Sequence, residues 1–465
     1  MPLGLYISVP FCRTKCSYCN FASDVFSKAA YKNYVTRLLE DIAHSRQLAS
    51  EMGYALGATL DDIADSIYLG GGTPSILDAP QLLRIFAAVR TQFAVAPYAE
   101  ITVECAPGTL TPALVETLLQ CGVNRVSLGV QSFVDHEAQS VGRLHKRSTV
   151  LEEIARLRQA GLTNINIDLI AGLPHQTAES WAFSLAETIA TGVPHVSVYM
   201  LEVDEDSRLG RELIAGGARY HAHFVPDDDA TADFYQQACE MLDCAAIAQY
   251  EISNFARTGS QLQNNQSRHN LKYWTRQPYL GFGVDAHSML PVLAWGRAPS
   301  RACPERNRRV QAERTGAPVK PGVGLTGWNS SAAALNDAIK EAHYQAVRFA
   351  TPDSLDAYMN RVPHSVTPVS PQAAIEENFF LGLRLNRGID LKKLRAEFGP
   401  ETVAVWESAI RQCVQDGLLE QQDAILRLTS RGRLLSNEVF GRFLSEKATE
   451  RTTETKVGTG HVNPR

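Results

Sequence analysis

Three cysteines lie close together near the start of the chain. Cys12, Cys16 and Cys19 stand in the stretch PFCRTKCSYCNF with the spacing C-x3-C-x2-C. A structural zinc ion takes four ligands and disulfides need pairs of cysteines, so three thiols in one loop suit neither role. Three thiolates can instead hold three irons of a [4Fe–4S] cluster and leave the fourth iron open. The spacing therefore predicts an iron–sulfur site with a free coordination position.

An open iron of this kind suits a small chelating ligand. The amino and carboxylate groups of S-adenosylmethionine (SAM) can chelate it, and one electron passed into the sulfonium then releases a deoxyadenosyl radical. Thiolates are soft ligands that favour iron–sulfur clusters, whereas a zinc site would need a fourth ligand nearby. The cysteine loop therefore indicates radical SAM chemistry.

Six short apolar runs of β-rich composition alternate with amphipathic helical segments. Strands that alternate with helices are typical of a parallel sheet with right-handed crossovers. The six runs comprise residues 5–9, 66–70, 101–105, 125–130, 164–170 and 195–201. We therefore predict an α/β fold built on a partial (β/α)6 radical-SAM barrel.

Polar or glycine-rich residues stand at or just after the ends of five of these runs. The first run leads into the cysteine loop and the second into GGGTP at residues 70–74, while Glu104, Gln131 and Asp168 belong to the next three. Ligands of such sheets bind at the carboxyl ends of the strands, so these residues are expected to share one site. Taken singly, each also suits a structural role, since glycines make tight turns and carboxylates cap helices.

The rest of the chain divides by composition. The barrel and its extension are expected over residues 1–290, followed by an Arg-, Pro- and Gly-rich insertion over 291–342 that is predicted to be disordered. A connecting segment over 343–372 leads to a small C-terminal domain over 373–445, whose helices and β-ribbon predict a winged-helix-like fold. The tail over 446–465 is expected to be disordered.

Composition and charge exclude some broad classes of function. The net charge of −5 provides no basic field for nucleic acid, and the candidate recognition helix at residues 403–416 carries more acids than bases, so no nucleic-acid partner is expected. No apolar stretch reaches the roughly 18 residues that a membrane-spanning helix needs. Nine cysteines and no secretory signal favour a reducing, cytoplasmic location. Whether the chain dimerises stays open.

Several longer motifs resemble one family. The motifs are LYISVPFCRTKCSYCNF, YLGGGTPS, RVSLGVQSF, VGRLH, NIDLIAGLPHQT, YEISNFA, RHNLKYW and YLGFGVDAHS. They are similar to the coproporphyrinogen III oxidase-like heme chaperones, the HemW family, which are relatives of the oxygen-independent coproporphyrinogen III dehydrogenase HemN. The resemblance spans about residues 5 to 287, resumes at about 347, and does not include the insertion between them.

The resemblance implies which residues bind the cofactors. Cys12, Cys16 and Cys19 would ligate the cluster. Tyr6 would lie beside the methionine end of SAM, the backbone near Tyr18 would meet the adenine, and the glycine-rich segment would hydrogen-bond the amino group. The remaining contacts would go to that end of SAM, the ribose and the carboxylate. The full set of implied SAM residues is Tyr6, Tyr18, Gly71, Gly72, Thr73, Glu104, Gln131, Arg143 and Asp168.

One position distinguishes the two relatives. The dehydrogenase carries a fourth cysteine two residues after the third, and this chain has Phe21 there. Because a phenylalanine cannot replace a thiol, the resemblance favours the chaperone over the decarboxylating enzyme.

The motif HNLKYW is the candidate heme contact. By the resemblance, His269 would offer an imidazole to heme iron, and Tyr273 and Trp274 would offer a flat apolar surface to the porphyrin. From the residues alone, a loop whose aromatic rings only pack explains the motif better. The weaker ligand candidates are His145, His175 and His287.

The resemblance thus implies a protein that binds a [4Fe–4S] cluster, SAM and heme, and hands heme to acceptor hemoproteins such as respiratory-chain components. Two alternatives stay open: oxidative decarboxylation of a coproporphyrinogen propionate, and radical SAM chemistry on another substrate.

Overall fold

The structure is a computed structural model of the chain. It describes residues 2–51, 63–257, 265–291 and 344–444. Apart from Pro291, the predicted insertion lies outside the described residues, and so does the predicted tail over 446–465.

Six neighbouring parallel strands form the centre of the main sheet. Their order in the sheet follows their order in the chain, and this confirms the predicted barrel topology. The strands are β1 (Leu3–Val9), β2 (Ile63–Gly71), β3 (Ala94–Cys105), β4 (Arg125–Gln131), β5 (Ile165–Ala171) and β6 (His195–Met200).

Amphipathic helices follow these strands and cover the outer face of the sheet. Several begin at side-chain caps that the sequence encodes, such as Asp78 and Thr177, each of which completes a capping box. Their apolar residues bury the outward-facing strand residues, so the polar residues on the other strand face line the interior of the barrel. The helices are α1 (Lys28–Glu51), α2 (Ala79–Gln92), α3 (Pro112–Gln120), α4 (Asp135–Ser140), α5 (Arg147–Gln159) and α6 (Ala178–Thr191).

Further strands extend the sheet at both edges, to twelve among the described residues. The predicted connecting segment over 343–372 supplies two of them and thus connects the barrel to the C-terminal unit through the sheet. The strand Ser365–Val369 is a short, half-exposed edge strand, and such strands give little apolar signal in the sequence. The added elements are α7 (Arg208–Ala215), α8 (Asp228–Cys244), β7 (Ile247–Glu251), β8 (Asn254–Arg257), α9 (Arg268–Trp274), β9 (Tyr279–Phe282), β10 (His287–Pro291), β11 (Ala346–Ala350), α10 (Leu355–Met359) and β12 (Ser365–Val369).

The undescribed insertion joins two strands that pair with each other. Pro291 at the end of β10 pairs with Ala346 at the start of β11. Because β10 runs antiparallel to β9, and β9 runs parallel to β1, this end lies beside the amino ends of the barrel strands. The chain therefore leaves and re-enters the sheet at the amino ends of the barrel strands. The cysteine loop lies at the opposite ends of the strands, because it follows the carboxyl end of β1.

A smaller unit follows the barrel and has its own apolar core. The helix predicted over 403–416 is broken at Trp406, whose ring packs against Phe379 and whose indole nitrogen donates to the Phe443 carbonyl over 3.1 Å. Thr429 caps the helix that follows the ribbon, and its hydroxyl accepts from the Gly432 amide. The elements are α11 (Pro371–Gly382), β13 (Ile389–Asp390), α12 (Leu391–Phe398), α13 (Pro400–Ala404), α14 (Glu407–Gln415), β14 (Leu419–Gln422), β15 (Ile425–Leu428), α15 (Ser430–Leu434) and α16 (Ser436–Gly441).

An ion pair between Arg384 and the buried Glu251 connects this unit to the barrel. Among the helices of the described ranges, none is both long and apolar enough to cross a membrane.

Candidate functional site

The cysteine loop is held in place by backbone hydrogen bonds. The Cys12 amide donates to Asp24, and Ser17 both donates to Val141 and accepts from Leu209. These contacts fix the loop against the segments that follow β4 and β6. The three cysteines are free thiols; Cys16 is buried and the other two are partly buried. Contacts of the protein's own backbone therefore position the loop.

The thiol of Cys12 has a polar surrounding. The Thr73 hydroxyl donates to its Sγ over 3.7 Å, and Ser23 lies at the same distance. Burial, more than any other cause, raises the pKa of the Cys12 thiol, and the nearby Cys16 and Cys19 raise it further. An iron bound at Cys12 would therefore displace its proton.

The donor set fits a [4Fe–4S] cluster. Three thiols come from one loop, and the Thr73 hydroxyl donates to one of them, as do the hydrogen bonds that tune the sulfurs of such clusters. Among the described residues, no group of three or more His, Cys, Asp or Glu side chains is spaced for a single metal ion. A four-iron cluster sets its thiolates farther apart than one ion does, so the spacing disfavours a mononuclear site and leaves the cluster as the better fit.

The glycine-rich segment packs directly against the strand that leads into the cysteine loop. The Gly72 amide donates to the Val9 carbonyl over 2.8 Å, and the Thr73 amide donates to the Phe11 carbonyl over 2.7 Å. A Cβ at Gly72 would lie 2.6 Å from the Phe11 oxygen, and Gly71 has φ +98°, which favours glycine. An amino group that is protonated or bound to iron can only donate hydrogen bonds, so Gly72 and Thr73 can meet it only through their oxygen atoms.

Glu104 stands beside this segment at the end of β3. Its Oε1 accepts a hydrogen bond from the Tyr68 hydroxyl over 2.8 Å, and a Cβ at Gly70 would lie 3.0 Å from the carboxylate. Burial raises the pKa of Glu104 to about 7. Near neutral pH the carboxyl is thus balanced between its neutral and ionised forms, and a bound cation would favour ionisation.

Gln131, Arg143 and Tyr18 come together beside Gly129. The Arg143 guanidinium donates to the Tyr18 hydroxyl over 3.5 Å, and a Cβ at Gly129 would lie 2.9 Å from the Arg143 Nη2. Gln131 has φ +69°, and its buried Oε1 has no partner among the described residues. The geometry therefore leaves an arginine and an amide oxygen available to a polar ligand.

Asp168 lies on β5 with its carboxylate already oriented. Ser127 donates to Oδ2 over 3.0 Å, and Asn166 donates to Oδ1 over 2.7 Å. Burial raises the pKa of Asp168, while these hydrogen bonds oppose that rise. Such an oriented acceptor suits a hydroxyl group of a ligand.

His269 lies at the floor of the barrel, not at its mouth. It is buried, with Nδ1 3.0 Å from the Ser66 hydroxyl and Nε2 2.8 Å from the Tyr273 hydroxyl. Its ring stacks with Tyr6 at 6.3 Å and Tyr68 at 5.3 Å, and burial lowers its pKa to about 3. The imidazole is therefore neutral, as an iron ligand must be, but both ring nitrogens are occupied.

Tyr273 and Trp274 do not form one flat surface. Their rings are inclined by 67°, and Arg384 of the C-terminal unit covers the Trp274 ring at 4.3 Å. The side chains of these neighbouring helical residues therefore point in different directions, and their role as heme contacts stays a prediction.

The weaker histidine candidates lie apart from one another. His145 is buried and donates to the Val130 carbonyl over 3.1 Å, which is a structural role. His175 contacts His136 and His221 outside the barrel interior. His287 is exposed beside Asp285.

Sequence reasoning missed the other polar residues of the barrel interior. They share a signal that was present, since polar residues at every second position of a buried strand mark its inward face. The missed residues are Ser66, Tyr68, Thr102, Arg125, Ser127, Asn166, His195 and Ser197.

Comparison with known proteins assigns both parts of the chain. Residues 6–186 match the Radical SAM superfamily, and residues 369–435 match the HemN C-terminal domain. A solved structure titled coproporphyrinogen III oxidase (HemN) from Escherichia coli, a radical SAM enzyme, superposes with a TM-score of 0.70 at 20% identity, over 95% of this chain and 90% of that one. This likeness shows the fold.

Two curated relatives carry the name heme chaperone HemW. The protein of Bacillus subtilis strain 168 is 30% identical over 442 residues, which are 95% of this chain and 99% of the relative. That of Escherichia coli K12 is 35% identical over 287 residues, which are 62% of this chain and 70% of the relative. With near-complete coverage of the first relative, the chain belongs to the heme chaperone HemW family of radical SAM proteins.

Proposed function

We propose that this protein binds a [4Fe–4S] cluster, SAM and heme, and transfers heme to acceptor hemoproteins such as respiratory-chain components. Cys12, Cys16 and Cys19 hold the cluster, which supplies an open iron for SAM. A reducing compartment such as the cytoplasm is part of the proposal, because thiol ligands must stay reduced. The observation that carries it is the loop with three cysteines, packed against the glycine-rich segment within a chain of this family.

The surrounding residues orient SAM. The carbonyl oxygens of the glycine-rich segment and the ionised Glu104 accept from its amino group. The Arg143 guanidinium donates two hydrogen bonds to the SAM carboxylate, and the Asp168 carboxylate accepts a hydrogen bond from a ribose hydroxyl. Tyr6, Tyr18 and Gln131 enclose the ligand. Each role uses a donor or acceptor that the local geometry leaves available.

Exposed apolar side chains support a surface for the acceptor. Phe21 is 65% exposed, Leu144 68%, and Leu213 and Ile214 56% and 68%. They stand on the cysteine loop and on two segments that each hydrogen-bond to it. Exposed apolar groups that form a patch mark interaction sites. The same region is therefore proposed to meet the protein that receives heme.

The heme contact is proposed at His269, with Tyr273 and Trp274 beside it. To ligate iron, Nε2 of His269 must give up its hydrogen bond with the Tyr273 hydroxyl. Heme binding would therefore be accompanied by a movement of Tyr273.

One experiment separates this function from the decarboxylating alternative. The reconstituted protein is incubated anaerobically with coproporphyrinogen III, SAM and a reductant, and in parallel with heme, followed by gel filtration. The proposal expects co-elution of heme and no decarboxylated porphyrin. Formation of protoporphyrinogen without retained heme would favour the dehydrogenase instead.

A further inference from the structure

Arg125 is a buried cation without a partner among the described residues. It is 2% exposed, and its Nε is buried without an acceptor. Within the part of the chain that the structure describes, its guanidinium takes part in no side-chain hydrogen bond and no ion pair. A buried charge is costly unless it is paired, so this arginine requires an explanation.

The guanidinium lies inside the barrel, near its floor. Arg125 is the first residue of β4 and shares a strand face with Ser127, whose hydroxyl reaches Asp168. Its charge also acts on residues of other elements: after burial itself, Arg125 is the cause that lowers the pKa of His195 on β6, and it contributes to lowering that of His269 on α9. The cation is therefore central to the floor.

No neighbouring group among the described residues accepts a hydrogen bond from its side chain. His195 and His269 are uncharged, and Lys272 is already paired with Asp65. Burial raises the pKa of Glu104 and of Asp168 and the charge of Arg125 lowers both, but the two carboxylates accept their hydrogen bonds from other side chains. An anion entering the barrel would thus find, in addition to Arg143, a second arginine with unused donors.

We propose that Arg125 binds a carboxylate group of the molecule that the barrel receives, and that for heme this group is a propionate. The inference rests on the proposed function, because it takes heme as the ligand. A guanidinium presents two parallel donors that match a carboxylate. His269 shares the floor with Arg125, so the iron and a propionate would be recognised by different residues of one cavity.

The test compares ferric heme with its dimethyl ester, in which both propionates are neutral. Each is titrated into the reconstituted full-length protein, and absorbance gives the affinity. Wild type should bind the free acid at least about tenfold more tightly than the ester. Arg125→Met should bind both equally, and Arg125→Lys should retain part of the preference. Arg156→Met is the matched control, because Arg156 donates to the Leu110 carbonyl outside the barrel.

Different results would overturn the role of Arg125 and the proposed function on which it rests. Equal affinity of wild type for acid and ester overturns the role of Arg125, and so does a preference that survives in Arg125→Met. A loss of SAM affinity in Arg125→Met with unchanged heme preference would assign the arginine to SAM and also overturn it. Absence of heme binding to wild type refutes the proposed function itself. If Arg125→Met does not fold by circular dichroism, wild type and Arg125→Lys decide the question.

Discussion

The Tyr68 hydroxyl donates a hydrogen bond to Oε1 of Glu104 over 2.8 Å. The ring of the same tyrosine stacks with that of His269 at 5.3 Å and an inclination of 26°. One side chain thus contacts both the acid beside the glycine-rich segment and the histidine of the barrel floor. The proposed SAM and heme contacts are neighbours across a single tyrosine.

The ionisation of Glu104 should make SAM binding depend on pH. Its raised pKa of about 7 means that the carboxyl is neutral below that pH and charged above it. Because the sulfonium of SAM is cationic and its iron-bound amino group still donates hydrogen bonds, the ionised carboxylate should be the better partner, so affinity should rise through pH 7 and fall by up to about tenfold per pH unit below it. Calorimetry under anaerobic conditions between pH 6 and 8.5 measures this, with about pH 7 as the expected midpoint.

Two variants test the assignment to Glu104. Glu104→Gln should bind SAM weakly with a flat pH profile over this range. Tyr68→Phe removes a donor that lowers the pKa of Glu104, so its midpoint should move to higher pH. A wild-type profile in Glu104→Gln would show that another group titrates.

Substitutions at Gly70 and at Gly72 should have different effects on the cluster. A side chain at Gly72 meets the backbone of Val9 and Phe11, which cannot move without shifting Cys12. Gly72→Val should therefore lose the cluster as well as SAM. Gly70→Ala meets only the Glu104 carboxylate, and should weaken SAM binding with an intact cluster. Iron content and the cluster absorbance distinguish the two; full iron in Gly72→Val would contradict the packing argument.

The sequence predicted this site only in part, and Gly72 illustrates why. Glycine spacing beside a strand indicated a close approach, and the expected partner was SAM. In the structure the close partner is the protein backbone at Phe11, 61 residues away in sequence from Gly72 (72 − 11). The local sequence indicated that a glycine is needed at this position. It could not indicate which part of the molecule lies against that glycine.

The placement of α9 shows the same limit. The residues RHNLKYW form a helix with the encoded cap Ser267, but its position depends on Glu100, which accepts from the Arg268 and His269 amides. The residues that make this contact are 168 and 169 positions apart in sequence, so local spacing cannot predict it. In contrast, the six parallel strands were predictable because each carries its own apolar pattern.

The cluster cysteines should be separable from the other buried cysteines. Alanine at Cys12, Cys16 or Cys19 should abolish the brown chromophore after anaerobic reconstitution, because two thiolates cannot hold the cluster. Cys105→Ala and Cys413→Ala are the controls, since both thiols are buried in the apolar cores. Full iron content in Cys16→Ala would refute the site.

The Thr73 hydroxyl should tune the cluster. It donates to the Cys12 sulfur, and such hydrogen bonds stabilise the additional negative charge of the reduced cluster. Thr73→Val should therefore keep the cluster and lower its reduction potential. Spectroelectrochemistry measures the shift. Ser75→Ala is the control, because Ser75 contacts Thr109 and Cys105, neither of which is a proposed cluster ligand; an unchanged potential in Thr73→Val would remove this role.

The Tyr273 hydroxyl should limit access of heme iron to His269. Since Nε2 of His269 lies 2.8 Å from that hydroxyl, ligation has to break this hydrogen bond. Tyr273→Phe removes the competing partner while preserving the ring, so heme affinity should rise by about threefold to tenfold, the worth of one buried hydrogen bond.

His269→Ala should shift or weaken the Soret band and leave the iron–sulfur absorbance and SAM binding unchanged. His145→Ala serves as the control, because His145 bonds only the Val130 carbonyl. If the Soret band of His269→Ala is identical to that of wild type, His269 is not the ligand, and the exposed His287 becomes the next residue to substitute.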